Sequence, residues 1–457
     1  MRTLFHFLIL VTPVLAGPVT VGAGRVEITP ARGTPMAGYY STRLLEGVLD
    51  PLYATALVFE KDGVKAAYVS LDLLTTTPAM TSESRALIAA KLGIPKEHVM
   101  ISATHTHTGP VLSDKMRDVS FGGSSKLAQE YRAALPGKIL DAVVIAESKR
   151  QPVTIQHSVG KEEGLAFNRR YHLNDGTVGW NPGKKNPKIV KPAGPTDDAV
   201  SLLVFESLNK VPVACLVNFA MHSDTTGGMY ASADYPGHLR KLLSTAKGEN
   251  LVSSFALGCC GDVNHINVNL ADAQKGAAES SRIGTRLAAA TLKAWDERVP
   301  IADGPLKVSR EIVTLPLPEV THDEEMAALK VQLEVNRETK PAPKFLDQVQ
   351  AFKVLDVTSR MGKRFEVEVQ VISFGPDLAI VSLPGEIFTQ LGLDIKKASP
   401  FKTTIIAELA NGSLGYIPNK AAYPQGQYEV LSARCAAGSG EKLVESAVKQ
   451  LKEHFAK

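Results

Sequence analysis

Residues 101–110 read ISATHTHTGP, an apolar, β-branched run that ends in two histidines one residue apart and is closed by Gly109 and Pro110. Side chains of an extended chain alternate between faces, so His105 and His107 are expected side by side at the end of a strand. That arrangement suits a metal ion or a proton-transfer pair. Other residues able to join them follow apolar runs elsewhere. His222 comes after VPVACLVNFA, Glu386 closes LPGE, Asp262, Asn264 and His265 lie in GCCGDVNHIN, and Tyr416 lies in GYIP. Zinc accepts imidazole nitrogen and carboxylate oxygen, and catalytic sites keep a position open for water. A paired H-x-H with one distant His and one Glu would supply such a set. Each signal alone is weak, because a single His after a strand is ordinarily a hydrogen-bonded loop residue. Pattern alone leaves Tyr416 as a core aromatic.

The elements that must carry these residues alternate between strand and helix. KAAYVSLDLL reads as a buried strand ending at Asp72, TSESRALIAAKLGI as a helix closed by a glycine, and HVMISA as the strand that delivers the paired histidines. Functional-looking residues at carboxyl ends of strands fit an α/β fold, with mixed sheets flanked by helices and a site along one rim. Residues 126–150 read as helical, with Pro136 expected to kink or divide them. Residues 179–198, dense in Pro, Gly and Lys, read as a long surface loop that could act as a flap. AVSLLVFE and VPVACLVNFA form a hairpin through Asn209 and Lys210, and RFEVEVQVISFGPDLAIVSLPGE forms a second one ending at Glu386. Amphipathic helices are expected at 274–297 and 322–339, a strand in TTIIAELANGSLGYIP with Tyr416 just beyond its end, and a closing helix near 440–455.

With 457 residues, 44% hydrophobic and 21% charged, the chain has the composition of a globular protein with a large core. A net charge of +4 is too small a bias to suggest nucleic acid, and no RNA- or DNA-reading motif is present. The four cysteines allow at most two bridges, so metal ligands are sought among His and carboxylates. Residues 1–16 read as a cleavable secretory signal, with an apolar stretch from Leu4 to Ala16, which places the protein outside the cell or in the periplasm. No later segment is long and apolar enough to cross a membrane.

Taken together and in order, GAGRVEITPARGTPMAGY, HTHTGP, NFAMHS, GDVN, LPGE and the spaced tyrosines of GYIPNKAAYPQGQYE resemble the catalytic domain of the neutral/alkaline non-lysosomal ceramidases. The resemblance covers nearly all of the chain after residue 16. It implies one catalytic domain over 17–457 with the metal site at strand ends, and no appended immunoglobulin-like domain. It implies a zinc ion held by His105, His222, Glu386 and Tyr416, with His107 beside it as a non-ligand acid or base. Arg169 in FNRRY and Tyr428 are similar to residues that hold substrate near the metal. The implied reaction is hydrolysis of an N-acyl amide by metal-activated water. Where the family continues its GDV turn with Ser and Pro, this chain has Asn264 and His265, which puts Asn264 near the scissile region and makes recognition of ceramide itself doubtful. The expected partner is a lipid or small N-acyl substrate, with peripheral membrane contact and no obligate protein partner. The competing readings are a zinc hydrolase of other peptides, esters or amides, and a non-catalytic surface protein with a structural metal.

Overall fold

A computed structural model of the chain describes residues 18–113 and 115–456, so the signal expected at 1–16 lies outside the described residues. The longer strands are β1 Thr20–Glu27, β2 Tyr53–Lys61, β3 Val64–Leu71, β4 Val99–Ala103, β5 Gln151–Lys161, β6 Ala199–Ser207, β7 Pro212–Phe219, β8 Val252–Leu257, β9 Leu306–Leu315, β10 Phe365–Phe374, β11 Leu378–Ser382 and β12 Thr403–Ala407. The helices that flank them are α1 Pro78–Leu92, α2 Lys126–Ser148, α3 Asp234–Lys247, α4 Ala277–Asp296, α5 His322–Asn336, α6 Phe345–Thr358, α7 Thr389–Ala398, α8 Gln427–Ser432 and α9 Ser439–Ala456.

Two mixed sheets result. The first runs β8-β7-β6-β5-β1-β2-β3-β4, with the short strand Val299–Pro300 added to β5, and the second runs β9-β10-β11-β12. Most neighbours are antiparallel, but β3/β4, β7/β8 and β11/β12 are parallel, and each of these pairs is joined through a helix. Alternation along the strands sorts side chains into layers. Leu57, Phe59, Leu203, Phe205 and Leu216 of the first sheet meet Ile372, Phe374, Ile380 and Ile405 of the second in a shared core. The opposite face of the first sheet packs on α1 and α2 at one end and on α3 and α4 at the other. The outer face of the second sheet packs on α7 and α9. The order of layers is therefore helix, sheet, sheet, helix, the mixed α/β architecture expected from sequence.

Several local expectations change. Helix α1 begins at Pro78, three residues before the Thr81 start, because Thr77 accepts the amide hydrogen of Met80 and Pro78 fits the first helical turn. Helix α2 passes Pro136 undivided: the proline costs one backbone bond, while a whole buried face, including Leu135, Ile139 and Val143, holds the helix to the sheet. Residues 179–198 are not one long loop. Val178–Trp180 and Ile189–Pro192 flank Arg170–Leu173 in a three-stranded sheet, which satisfies backbone groups a free loop would leave to water. Helices α3, α6 and α7, which the sequence reading passes over, are present. All four cysteines are free and buried.

Candidate metal centre

His105 is not a strand residue. Strand β4 ends at Ala103, and His105 takes a left-handed conformation with φ of 70°, so the H-x-H pair lies in a turn rather than on one face of an extended chain. The turn still brings the rings together, with His107 Nε2 at 3.3 Å from His105 Nε2. His222 follows β7, which lies near the opposite end of the same sheet's strand order from β4. Glu386 and Tyr416 come from the second sheet's loops. Tyr416 is nine positions past the end of β12, not just beyond it, and sits in a short strand of its own, Tyr416–Ile417, which pairs in parallel with Glu386–Ile387. Residue 386 is thereby placed opposite residue 416. Gly385 allows this approach, since a Cβ there would lie 2.6 Å from the Gly415 carbonyl oxygen.

Donor atoms converge on one point. Glu386 Oε2 lies 3.4 Å from His105 Nε2 and 3.3 Å from His222 Nε2, and the Tyr416 hydroxyl lies 3.4 Å from His222 Nε2. Four ligands around an ion at about 2.1 Å are separated by about 3.4 Å along tetrahedral edges, and these three of the six edges match that length. The two outer ring nitrogens are pinned: His105 Nδ1–H donates to the Leu74 carbonyl at 2.7 Å and His222 Nδ1–H to the Cys260 carbonyl at 2.9 Å. This fixes the tautomer that leaves both Nε2 atoms as electron-pair donors. Buried Glu386 Oε2 has no hydrogen-bond partner among the described residues. His105, His107 and His222, all buried, also place one ring nitrogen apiece within 4.8 Å of one another, a group able to hold a metal ion.

Electrostatics favour the ligand forms of His222 and Glu386, while burial pushes the Tyr416 hydroxyl well above its ordinary value with Arg169 opposing. Burial, helped by Arg169 and His105, pushes the His222 imidazolium down to about 3, so the ring is neutral near pH 7. Burial and His105 likewise hold His107 well below its ordinary value. Burial alone would raise the Glu386 carboxyl, but His105 and His222 overcome it and keep the group well below the carboxylate range. His107 differs from the other two histidines, because its Nδ1 is buried without a hydrogen-bond partner and faces Asp224 Oδ1 at 3.7 Å. Asp224 accepts a hydrogen bond from Tyr39. The sequence reading gives neither Asp224 nor Tyr39 a role, although Tyr39 closes GAGRVEITPARGTPMAGY and an acid two residues after His222 was a usable signal.

A cavity of about 540 Å³ opens onto the cluster and is lined there by His105, His107, Glu386, Tyr416 and Tyr428. Trp180 and Phe345 back Tyr428, with ring centroids at 4.7 and 5.4 Å. Arg169 lies behind this wall rather than in it. Its Nε donates to Glu429 at 2.8 Å and its Nη2 to the Gly261 carbonyl at 2.8 Å, while Nη1 faces His222 Nε2 at 3.3 Å. The guanidinium sits 5.3 Å from the Tyr416 ring centre and 5.8 Å from that of Tyr428. Arg170 binds the other oxygen of fully buried Glu429 at 2.8 Å, so the two arginines anchor α8 and with it Tyr428. Asn264 is not brought to the cluster: its amide donates to Asn181 at 3.1 Å and its oxygen accepts from Ile266 N–H at 3.0 Å. Asp262 braces the same turn by accepting from Thr389 and Asn168.

Among known proteins, a neutral ceramidase of Pseudomonas aeruginosa is 28% identical over 269 residues, covering 55% of this chain. The aligned stretch spans 38% of that relative, little more than a third of its length. A crystal structure of neutral ceramidase from the same organism covers 95% of this chain and 75% of its own, with a TM-score of 0.74 at 20% identity. A structure described as ceramidase complexed with C2 gives a TM-score of 0.73, also at 20% identity, with 95% of this chain and 76% of its own covered. The model for the N-terminal part of the neutral/alkaline non-lysosomal ceramidases matches residues 19–304, which hold His105, His107, Arg169, His222 and Asn264, whereas Glu386, Tyr416 and Tyr428 lie beyond them. The first sheet with its histidine-bearing rim is thus the part recognised, and the chain belongs to the neutral/alkaline non-lysosomal ceramidase family.

Proposed function

We propose that the protein is a zinc-dependent hydrolase of an N-acyl amide, with ceramide-like compounds as the broad substrate class. The observation that carries this reading is the set of donors at 3.3–3.4 Å spacing, with both histidine tautomers fixed, beside a cavity in a chain of this family. His105, His222 and Glu386 would hold the zinc, with Tyr416 as the fourth protein ligand. Zinc supplies Lewis acidity toward a carbonyl and lowers the pKa of water to about 7. The chain's own groups do the rest. His107, whose Nδ1 is not committed to a carbonyl, takes or returns a proton at Nε2 beside the reacting carbonyl, and Asp224 stabilises its charged form. Arg169 and Tyr428 act by position: the arginine steadies both tyrosines, and the Tyr428 wall excludes water and orients the substrate. Export through residues 1–16 belongs to the same proposal, on the sequence of that segment.

Zinc content and turnover of two variants test the assignment. His222→Ala is expected to lose zinc and activity together. His107→Ala is expected to keep zinc while losing roughly 100-fold in kcat. The grouping of the three histidines favours one alternative, in which His107 is itself a ligand. Loss of zinc in His107→Ala would establish that alternative, and a purified protein that neither holds zinc nor gains activity from it would overturn the proposal.

A further inference from the structure

The cavity that reaches the histidine cluster is lined by charged side chains, with Glu83 and Asp118 among them and the cations in excess. Lys115, Arg117, Arg132 and Arg434 all line it. A second cavity of about 380 Å³ adjoins the first, shares Lys115 and Arg434 with it, and adds Arg360. Two of these cations are compensated. Arg117 donates through Nε and Nη2 to Asp118 Oδ1 at 2.9 and 2.7 Å, and Arg434 Nε binds Asp356 Oδ2 at 2.6 Å. Lys115, Arg132 and Arg360 are not: Lys115 Nζ donates to the Ser413 carbonyl at 3.2 Å, Arg132 Nη1 to the Gly123 carbonyl at 2.7 Å and Arg360 to the Lys363 and Arg364 carbonyls, with no ion pair to any of them among the described residues. Ser413 is three residues from Tyr416, so Lys115 stands at the junction of the two cavities, tied to the segment that carries a site residue. Met80, Leu112 and Leu135 add an apolar stretch of wall between α1 and α2, the helices whose Glu83 and Arg132 also line the cavity.

From this distribution we infer that the substrate is an N-acyl amino acid, with its acyl chain on the apolar wall and the carboxylate of its amine half bound by Lys115. This rests on the proposed amide hydrolysis and moves its substrate class from neutral ceramide-like amides to N-acyl amides with an anionic amine half. A neutral amide pressed into the junction would strip water from Lys115 and return no partner, whereas a carboxylate offsets that cost with a charge-assisted hydrogen bond. Discrimination then arises as much from rejecting neutral lipids as from holding the anion.

The test compares kcat/KM for N-lauroylglycine, N-lauroylethanolamine, the phosphate ester of the latter and long-chain ceramide, using the zinc-loaded full chain. N-lauroylglycine is expected to lead the neutral amides by at least tenfold. Lys115→Met is expected to collapse that ratio about tenfold through KM, and Lys115→Glu to invert it. Equal rates on charged and neutral amides, preference for ceramide or for the phosphate, or a ratio unmoved in Lys115→Met would overturn the inference. Should none of the amides be cleaved, the hydrolase reading fails separately. Calorimetric binding of N-lauroylglycine, lost in Lys115→Met, would then still support the anion site, and binding unchanged in the variant would remove it.

Discussion

His107 shows how much a single side chain's surroundings decide. Its neighbour His105 is pinned through Nδ1 to a backbone carbonyl, while His107 faces only Asp224 at 3.7 Å on that side. Asp224→Asn removes the charge that would stabilise an imidazolium there. We expect kcat to fall about 10- to 100-fold with zinc retained, measured as single-turnover rates on metal-loaded protein. Gly38 sits against the same ring, and a Cβ on it would come within 2.7 Å of His107 Nδ1. Gly38→Ala should reproduce the Asp224→Asn loss by displacing the ring rather than discharging it. Full activity in both variants would leave His107 without a proton-transfer role. The H-x-H signal was readable because a left-handed turn and an extended strand both bring residues two apart close together. The geometry itself was not readable, since nothing in THTHTGP announces that His105 carries the turn.

The parallel bridge that sets residue 386 beside residue 416 explains why Tyr416 was harder to read than the other proposed ligands. His105 and His222 each follow a long apolar strand within a few residues, so hydrophobic patterning points at them. Tyr416 is held by a two-residue strand in a Gly-rich loop, too short to carry any period, and only resemblance singled it out. Asn264 is the converse case: a polar residue in the right motif whose amide is taken up by Asn181 and by the Ile266 N–H of its own turn. Gly385→Ala puts a methyl group into the bridge and should drive the two ligand-bearing segments apart. A fall in zinc affinity of about 10-fold or more, with the fold retained by circular dichroism, is the expected outcome of a competitive chelator titration. Unchanged affinity would mean that the bridge does not set the ligand geometry.

The layered α/β architecture follows from alternating strands and amphipathic helices, and it was correctly anticipated. What patterning could not supply is the facing of one sheet on the other, because an inward-facing Leu looks the same whichever partner it meets. Glu408 marks that junction. Its backbone N–H donates to Leu257 at the end of β8, its carboxyl accepts from Cys260 Sγ and from the Ile387 N–H, and it is fully buried. Burial holds this carboxyl well above its ordinary value, with the Cys260 and Ile387 hydrogen bonds opposing in part. A folded pKa above the unfolded one gives stability that is complete below about pH 4.5 and is lost as pH rises, by up to about 1.4 kcal/mol per unit. Glu408→Gln removes that slope, so urea unfolding should show the variant gaining on the wild type between about pH 5 and pH 8. A difference that stays constant with pH would mean the carboxyl is ionised in the fold. The donors at the centre come from positions 105, 222, 386 and 416, two from each sheet, so half of the chain folded alone presents only two of them. Under the proposed zinc assignment, uptake of the ion would act as a proofreading step for biosynthesis: a chain stalled or clipped before its last hundred residues are in place would stay chemically silent, and bound metal would certify that folding has finished.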